Sequence, residues 1–209
     1  MTDAVGDAYD EKAELYASLF LHELRNDEQS LRVLDRFAAL VPDGEPVLDV
    51  GCGPGGLVQH LVELGLDASG VDLSPGQIAQ ARAAFPERRF EVGDLTDLQV
   101  DDGSLGGITS KYSIIHLDPA RLGDTFSGWC RVLQAGAPLF LSFFGSRTAE
   151  AHGTPFDHKV VTAYELWPPT VLSLLAAAGF VDVETTATPI PPGGRPFDHV
   201  TMLARVAAA

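Results

Sequence analysis

Pro46-Val47-Leu48-Asp49-Val50-Gly51-Cys52-Gly53-Pro54-Gly55-Gly56 is the stretch whose reading decides the fold. Its first five residues form a short apolar run suited to a buried parallel strand. A glycine-rich turn follows, and Gly55 to Leu64 reads as a helix. The same alternation continues downstream. Asp67 to Asp72 predicts a second strand, and Ser74-Pro75 caps and opens a helix reaching Phe85. Arg89 to Val92 and Ile108 to Tyr112 are strands three and four. A helix over Pro119 to Leu133 leads into a fifth strand, Pro138 to Phe144. Strands alternating with helices predict a parallel sheet covered on both faces.

The flanks differ from this centre. Residues 10–40 predict two helices, with apolar positions such as Leu15, Leu19, Leu34 and Phe37 at helical spacing. After the fifth strand comes a long polar stretch, Gly145 to Val160, and then a helix from Pro168 to Ala178. Val181 to Ala187 and Val200 to Val206 are strands separated by Pro189-Ile190-Pro191-Pro192-Gly193-Gly194. No helix stands between them, so they are expected to pair antiparallel. The expectation is an α/β, Rossmann-like, mostly parallel sheet with helices on both faces and a C-terminal antiparallel strand pair. Residues 1–209 read as one domain, with a helical cap (1–44), a ligand-binding core (45–145) and a substrate-side segment (146–209).

Composition narrows the partners. The chain has 209 residues, with 14 Lys plus Arg against 29 Asp plus Glu, a formal charge of −15. Such a chain repels phosphate backbones and anionic membranes, and no basic cluster offsets this locally. No nucleic-acid or membrane partner is therefore expected. Two cysteines, Cys52 and Cys130, make neither a disulfide framework nor a zinc pattern. The opening Met1-Thr2-Asp3-Ala4 carries no leader signature, and no apolar run approaches the ~18 residues of a membrane span. A cytoplasmic protein is expected; oligomeric state is not legible.

In parallel sheets of this kind ligands bind beyond the carboxyl ends of the strands. Gly51, Gly53 and Gly56 satisfy G-x-G-x-x-G, which alone also fits a nicotinamide dinucleotide. Three acids shift the balance. Asp49, two residues before Gly51, repels a pyrophosphate and attracts an ammonium group. Asp72 ends the second strand, where a carboxylate accepts bonds from ribose hydroxyls. Gly93-Asp94-Leu95 ends the third strand, where a carboxylate can accept from an exocyclic amino group and Leu73 and Leu95 can enclose an adenine. Helix capping is the alternative reading of each acid.

With these residues the chain resembles the class I S-adenosylmethionine-dependent methyltransferases, from about Val47 to its C-terminal strand pair. The resemblance implies a seven-stranded sheet and S-adenosylmethionine as cofactor. It places Asp49 and the loop Gly51, Cys52, Gly53 and Gly55 at the methionyl part, Asp72 and Leu73 at the ribose and adenine, and Gly93, Asp94 and Leu95 at the adenine. Arg131-Val132-Leu133-Gln134-Ala135-Gly136 resembles the family's passage into the fifth strand, with Ala135 where proline is usual. Tyr9-Asp10-Glu11-Lys12-Ala13-Glu14-Leu15-Tyr16 resembles the N-terminal helix that covers the cofactor in small-molecule members.

On the acceptor side, the fourth strand exits through Lys111-Tyr112-Ser113-Ile114-Ile115-His116. This lacks the Asn/Asp-Pro-Pro-aromatic signature of enzymes that methylate bases or glutamine. His116 is the candidate general base, with packing of the following helix as its alternative. Tyr112 and Tyr16 are expected to border the cofactor. Tyr9, Tyr16, His116, Phe144 and His158 are the expected substrate contacts. No metal site is expected from His152, Asp157 and His158, whose spacing matches no strong signature. Cys52 and Cys130 read most simply as small apolar fillers. The expected activity is methyl transfer to oxygen or nitrogen of a small molecule. The rivals are a nicotinamide-dependent oxidoreductase and a non-catalytic S-adenosylmethionine-binding module.

Overall fold

The computed structural model describes residues 3–189 and 197–208. In the seven-stranded sheet, β1 (Pro46–Val50) is flanked in parallel by β2 (Asp67–Asp72) and β4 (Gly107–Lys111). β3 (Arg89–Val92) pairs with β2 on the outer edge, and β5 (Pro138–Gly145) pairs with β4. With β8 (Phe180–Pro189) and β9 (Asp198–Val206), the order is β3-β2-β1-β4-β5-β9-β8. The chain moves outward from β1 in one direction and then in the other, so a crevice opens between the loops after β1 and β4. β6 (Pro155–Asp157) and β7 (Thr162–Tyr164) form a separate antiparallel hairpin.

The helices are α1 (Asp3–Asp10), α2 (Ala13–Phe20), α3 (Glu28–Leu40), α4 (Gly56–Glu63), α5 (Pro75–Ala84), α6 (Leu122–Val132) and α7 (Pro168–Ala178). Local chemistry sets several boundaries. The Asp27 carboxylate accepts from Ser30 N at 3.0 Å and starts α3. Ser74 does the same for Gln77 N ahead of α5, with Pro75 in the first turn. Gly179, at φ 105°, ends α7 in the left-handed region. Ser30, Val33, Leu34 and Phe37 recur at helical spacing and are buried, which seats α3 on the sheet.

Two apolar clusters line the two sheet faces. One joins Leu34, Phe37, Val58, Ile78 and Phe140; the other joins Phe126, Trp129, Leu139, Phe143 and Leu175. Phe140 and Leu139 are neighbours on β5 and point to opposite clusters, as strand alternation requires.

The observed elements follow the expected alternation, with local differences. Residues 10–40 hold the two expected helices, α2 and α3, joined through a 3-10 turn (Glu23–Asn26), and a further helix, α1, precedes them. The break after α1 coincides with Asp10, whose carboxylate accepts from Gly76 N at 2.7 Å and pairs with Ser74 Oγ at the start of α5. The polar stretch after β5 is built, containing the 3-10 turn Ala149–Ala151 and β6. The terminal strands pair antiparallel as expected, with a bulge between Val181 and Glu184 where Asp182 takes φ 53°. The expected turn after Pro189 lies largely outside the described residues.

Phe140 is fully buried in the middle of the sheet. Phe140→Ala is expected to lower the unfolding free energy by about 3–5 kcal/mol. Urea denaturation followed by far-UV circular dichroism measures it.

Candidate active site

Asp49 sits at the carboxyl end of β1, almost wholly buried, opposite Thr109 in the β1–β4 register. Thr109 Oγ1 donates to its carboxylate at 2.8 Å. Burial pushes the Asp49 carboxyl up to about 7; the Thr109 bond works against that shift, and the charge of Asp72 adds to it. Lys111 also favours the ionised form, yet burial outweighs both, and a carboxylate so placed is suited to receive a cation.

The loop then turns on glycine. Gly51 has φ 74°, and a Cβ there would stand 2.3 Å from Ser113 Cβ. No side chain fits between the loops after β1 and β4. Gly51 N and Cys52 N both donate to Val71 O on β2, at 2.8 and 3.0 Å. Gly53 N donates to Asp72 at 2.9 Å, and Ser74 N donates to the other Asp72 oxygen at 2.9 Å. Asp72 thus ties the loop to the end of its own strand. Burial raises its carboxyl pKa, against these backbone bonds.

Over this floor lies the N-terminal cap. Gly51, Gly53, Asp72 and Leu73 face Val5, Gly6, Tyr9 and Tyr16 across about 450 Å³ of free space, closed on a third side by Tyr112, Ser113 and His116. Tyr9 and Tyr16 meet edge to face at 5.2 Å between ring centres. An adjoining cavity of about 560 Å³ runs past Asp49, Cys52 and Lys111.

His116 ends a 3-10 turn, Ile114–His116, and is buried. Its Nδ1 lies 3.0 Å from Thr162 O on β7 and its Nε2 lies 2.9 Å from Tyr9 Oη. A carbonyl only accepts, so Nδ1 carries the proton and Nε2 accepts from the Tyr9 hydroxyl. Burial lowers the His116 pKa, which keeps the ring neutral near pH 7. One imidazole therefore joins the cap to the hairpin. Lys12 Nζ makes a second link, donating to Lys159 O at 2.6 Å.

Beyond Tyr16 an apolar groove of about 1080 Å³ runs between α2, through Leu15, Leu19 and Phe20, and an aromatic wall of Phe144, Phe197 and His199. Phe144 stacks on Tyr112 at 4.7 Å, and His158 lies edge-on to His116 at 5.2 Å. Tyr112 Oη and His199 Nδ1 are 2.5 Å apart. Tyr112 holds φ 55°, a conformation that side-chain-bearing residues seldom adopt and that clusters at functional sites.

The structure thus gathers Asp49, Gly51, Cys52, Gly53, Asp72, Leu73, Tyr9, Tyr16, Tyr112 and His116 around adjoining cavities, with Phe144 and His158 on the groove. Four expected contacts lie elsewhere. Gly55, at φ 87°, packs where a Cβ would meet the Phe90 ring at 2.6 Å. Leu95 is core, and its carbonyl accepts from Trp129 Nε1 at 2.7 Å. Gly93 and Asp94 border a separate cleft beside β3, and Asp94 accepts from Thr96 N at 2.8 Å. No group of three His, Cys, Asp or Glu capable of holding a metal occurs among the described residues.

A family described as "Methyltransferase domain" matches residues 47–136, from β1 to the approach to β5. Over 131 residues the chain is 32% identical to the demethylmenaquinone methyltransferase of Beutenbergia cavernae, covering 60% of this chain and 54% of that one. Phosphoethanolamine N-methyltransferase 2 of Haemonchus contortus, solved with S-adenosyl-L-methionine, has the same fold. Its TM-score is 0.74 at 18% identity, over 98% of this chain and 60% of that one. The chain thus carries a match to a methyltransferase domain over residues 47–136 and has the fold of S-adenosylmethionine-dependent methyltransferases. The chain is also 29% identical, over 178 residues, to the S-adenosyl-L-methionine-dependent Diels-Alderase iliD of Neonectria sp., covering 78% of this chain and 68% of that one. It therefore spans between about half and two thirds of those curated relatives.

Sequence reading missed Lys111, His199, Thr109 and Thr162 at this site. Lys111 carried a signal: a lysine closing the strand Gly107–Lys111, whose other residues are buried. His199 carried none, because its place follows from the register Phe144↔His199 between β5 and β9.

Asp49 titrates at about 7 in the folded protein against an ordinary 3.8. Between these values the native state holds the proton more tightly than the unfolded state, so this contribution to stability falls as pH rises. The unfolding free energy of wild type relative to Asp49→Asn is expected to decline from about pH 4 to about pH 7. Urea titrations of both proteins across that range test it; a constant difference contradicts it.

Proposed function

We propose that this methyltransferase binds S-adenosylmethionine between the glycine loop and the N-terminal cap and methylates oxygen or nitrogen on a small, largely apolar acceptor. The observation that carries the reading is the pair of strand-end carboxylates, Asp49 and Asp72, flanking a glycine turn closed to a side chain at Gly51 and roofed by Tyr9 and Tyr16. Their chemistry fits the cofactor. Asp49 is a buried acid whose charge Lys111 offsets only in part, which suits it to an ammonium group. Asp72 is held by two backbone N–H groups and keeps lone pairs for two ribose hydroxyls. Leu73 is the adenine-side apolar contact. Asp94 and Leu95 act through the loop's shape, given their own bonds to Thr96 and Trp129.

The bound cofactor supplies an activated methyl on a sulfonium, so positioning does most of the work. Tyr9 and Tyr16 exclude water from above. The groove through Phe144, Phe197 and Leu19 receives the acceptor's apolar body. His116 supplies the base: its Nε2 accepts from the Tyr9 hydroxyl, and a proton from the acceptor reaches it directly or through that hydroxyl. Residues 1–44 act as the cap, 45–145 as the cofactor core and 146–209 as the acceptor side of a single domain. The charge of −15 argues against nucleic-acid substrates. Among the described residues no helix is long and apolar enough to cross a membrane. The two free thiols agree with a reducing, cytoplasmic setting.

A second reading rests on the Neonectria relative, whose name assigns it a cycloaddition. Here the cofactor would stay bound and the apolar groove would fold a polyene without methyl transfer. Retention of the methyl group through turnover of a groove ligand separates the two.

Calorimetric titration with S-adenosylhomocysteine is the direct test. Wild type is expected to bind it and not NAD or NADP. Asp72→Ala, which removes charged hydrogen-bond acceptors, is expected to weaken binding by roughly tenfold to a hundredfold. Binding of the dinucleotides alone overturns the assignment. His116→Ala is expected to lower methyl transfer to a phenol or quinol panel by about a hundredfold or more, leaving S-adenosylhomocysteine affinity within a factor of about two. Unchanged turnover removes His116 as the base.

A further inference from the structure

Lys111 ends β4 with its side chain largely buried, and it borders a cavity whose other charged groups are acids. It lines the cavity beside the glycine loop together with Asp49, Gly51 and Glu23. It also lines the space under Tyr9 and Tyr16 that reaches Asp72. Among the described residues bordering these two spaces, Lys111 is the sole lysine or arginine. Its side chain is 14% exposed. The ammonium is held loosely, 3.3 Å from Asp27 Oδ2 and 4.7 Å from the centre of the Tyr112 ring. Asp27 already serves Ser30, capping α3 through its backbone N–H and receiving its hydroxyl at 2.7 Å.

Burying a lysine this far is costly unless its donors are used. An ammonium has three donors, and the ion pair with Asp27, at 3.3 Å, does not use them all. The space beside the glycine loop is lined both by a buried acid, Asp49, and by this lysine. That polarity matches an α-amino acid, whose ammonium and carboxylate are carried on one carbon. The ammonium is drawn to Asp49 and Glu23, and the carboxylate is left facing Lys111. Tyr112, fixed at φ 55° and stacked on Phe144, holds its ring as a shelf against the lysine.

We infer that Lys111 is the specificity-determining cation for the carboxylate of the cofactor's methionyl group, steadied by Asp27 and the face of Tyr112. The inference rests on the cofactor assignment proposed above. It distinguishes the full amino-acid tail from an amine-only tail, because the acids of the cavity serve both and the lysine serves only the carboxylate.

The test is calorimetric titration of the whole chain with S-adenosylhomocysteine and with its decarboxylated analogue. Wild type is expected to bind S-adenosylhomocysteine about tenfold more tightly or better, as for a charge-assisted bond. In Lys111→Met and Lys111→Gln that preference is expected to fall to within about twofold, with the analogue's affinity unchanged or improved. Equal binding of the two ligands by wild type overturns the inference, and so does a preference that survives in either variant. Loss of both ligands in parallel with the preference kept marks a merely structural lysine and also overturns it. Failure of wild type to bind either ligand overturns the cofactor assignment itself, which separates the two.

Discussion

The close approach of Gly51 to Ser113 organises the site. A Cβ at Gly51 would lie 2.3 Å from Ser113 Cβ, so the loops after β1 and β4 touch through backbone on one side and a small side chain on the other. Ser113 adds a bond from its hydroxyl to Val50 O at 2.9 Å. This contact closes the base of the crevice at the point where strand order reverses. It fixes the spacing between Asp49 on one strand end and the Lys111–Tyr112 pair on the other. A larger residue at either position would separate the two loops and the charges they carry.

Much of this was legible beforehand because it is local. The order of strands, the glycine turn, and Asp49 and Asp72 at strand ends all follow from residues close together in the chain. Position at the tip of a parallel strand is enough to aim them at the crevice. Leu95 and Gly55 share that local logic, yet Trp129 and Phe90, approaching from other elements, claim the space around them. The rest was illegible because it depends on long-range register. Tyr9 meets His116 across 107 residues and Tyr112 meets His199 across 87, and neither spacing leaves a mark in the sequence. The α1–α2 break is intermediate: Asp10 is visible as a polar residue, but its partners at the start of α5 are not.

Electrostatics and burial pull the site in opposing directions. Desolvation raises Asp49 and Asp72 and lowers His116, which favours neutral groups around the cavity. Hydrogen bonds donated by Thr109, Gly53 and Ser74, and the one that the Thr162 carbonyl accepts, act the other way. A cationic ligand shifts this balance by supplying the charge the acids lack. The free protein therefore holds its carboxylates in an environment that favours a bound cation more than solvent does.

The two coverings of the site are attached differently. The N-terminal cap lies over the space beside the glycine loop and is anchored through Asp10 to α5 and through Tyr9 to His116. The apolar groove opens sideways, between α2 and the wall of Phe144 and Phe197. A molecule can reach the groove without disturbing α1, whereas exchange beneath Tyr9 requires the cap to lift. On the proposed reading this asymmetry would make the traffic unequal, with the ligand beneath Tyr9 entering first and leaving last.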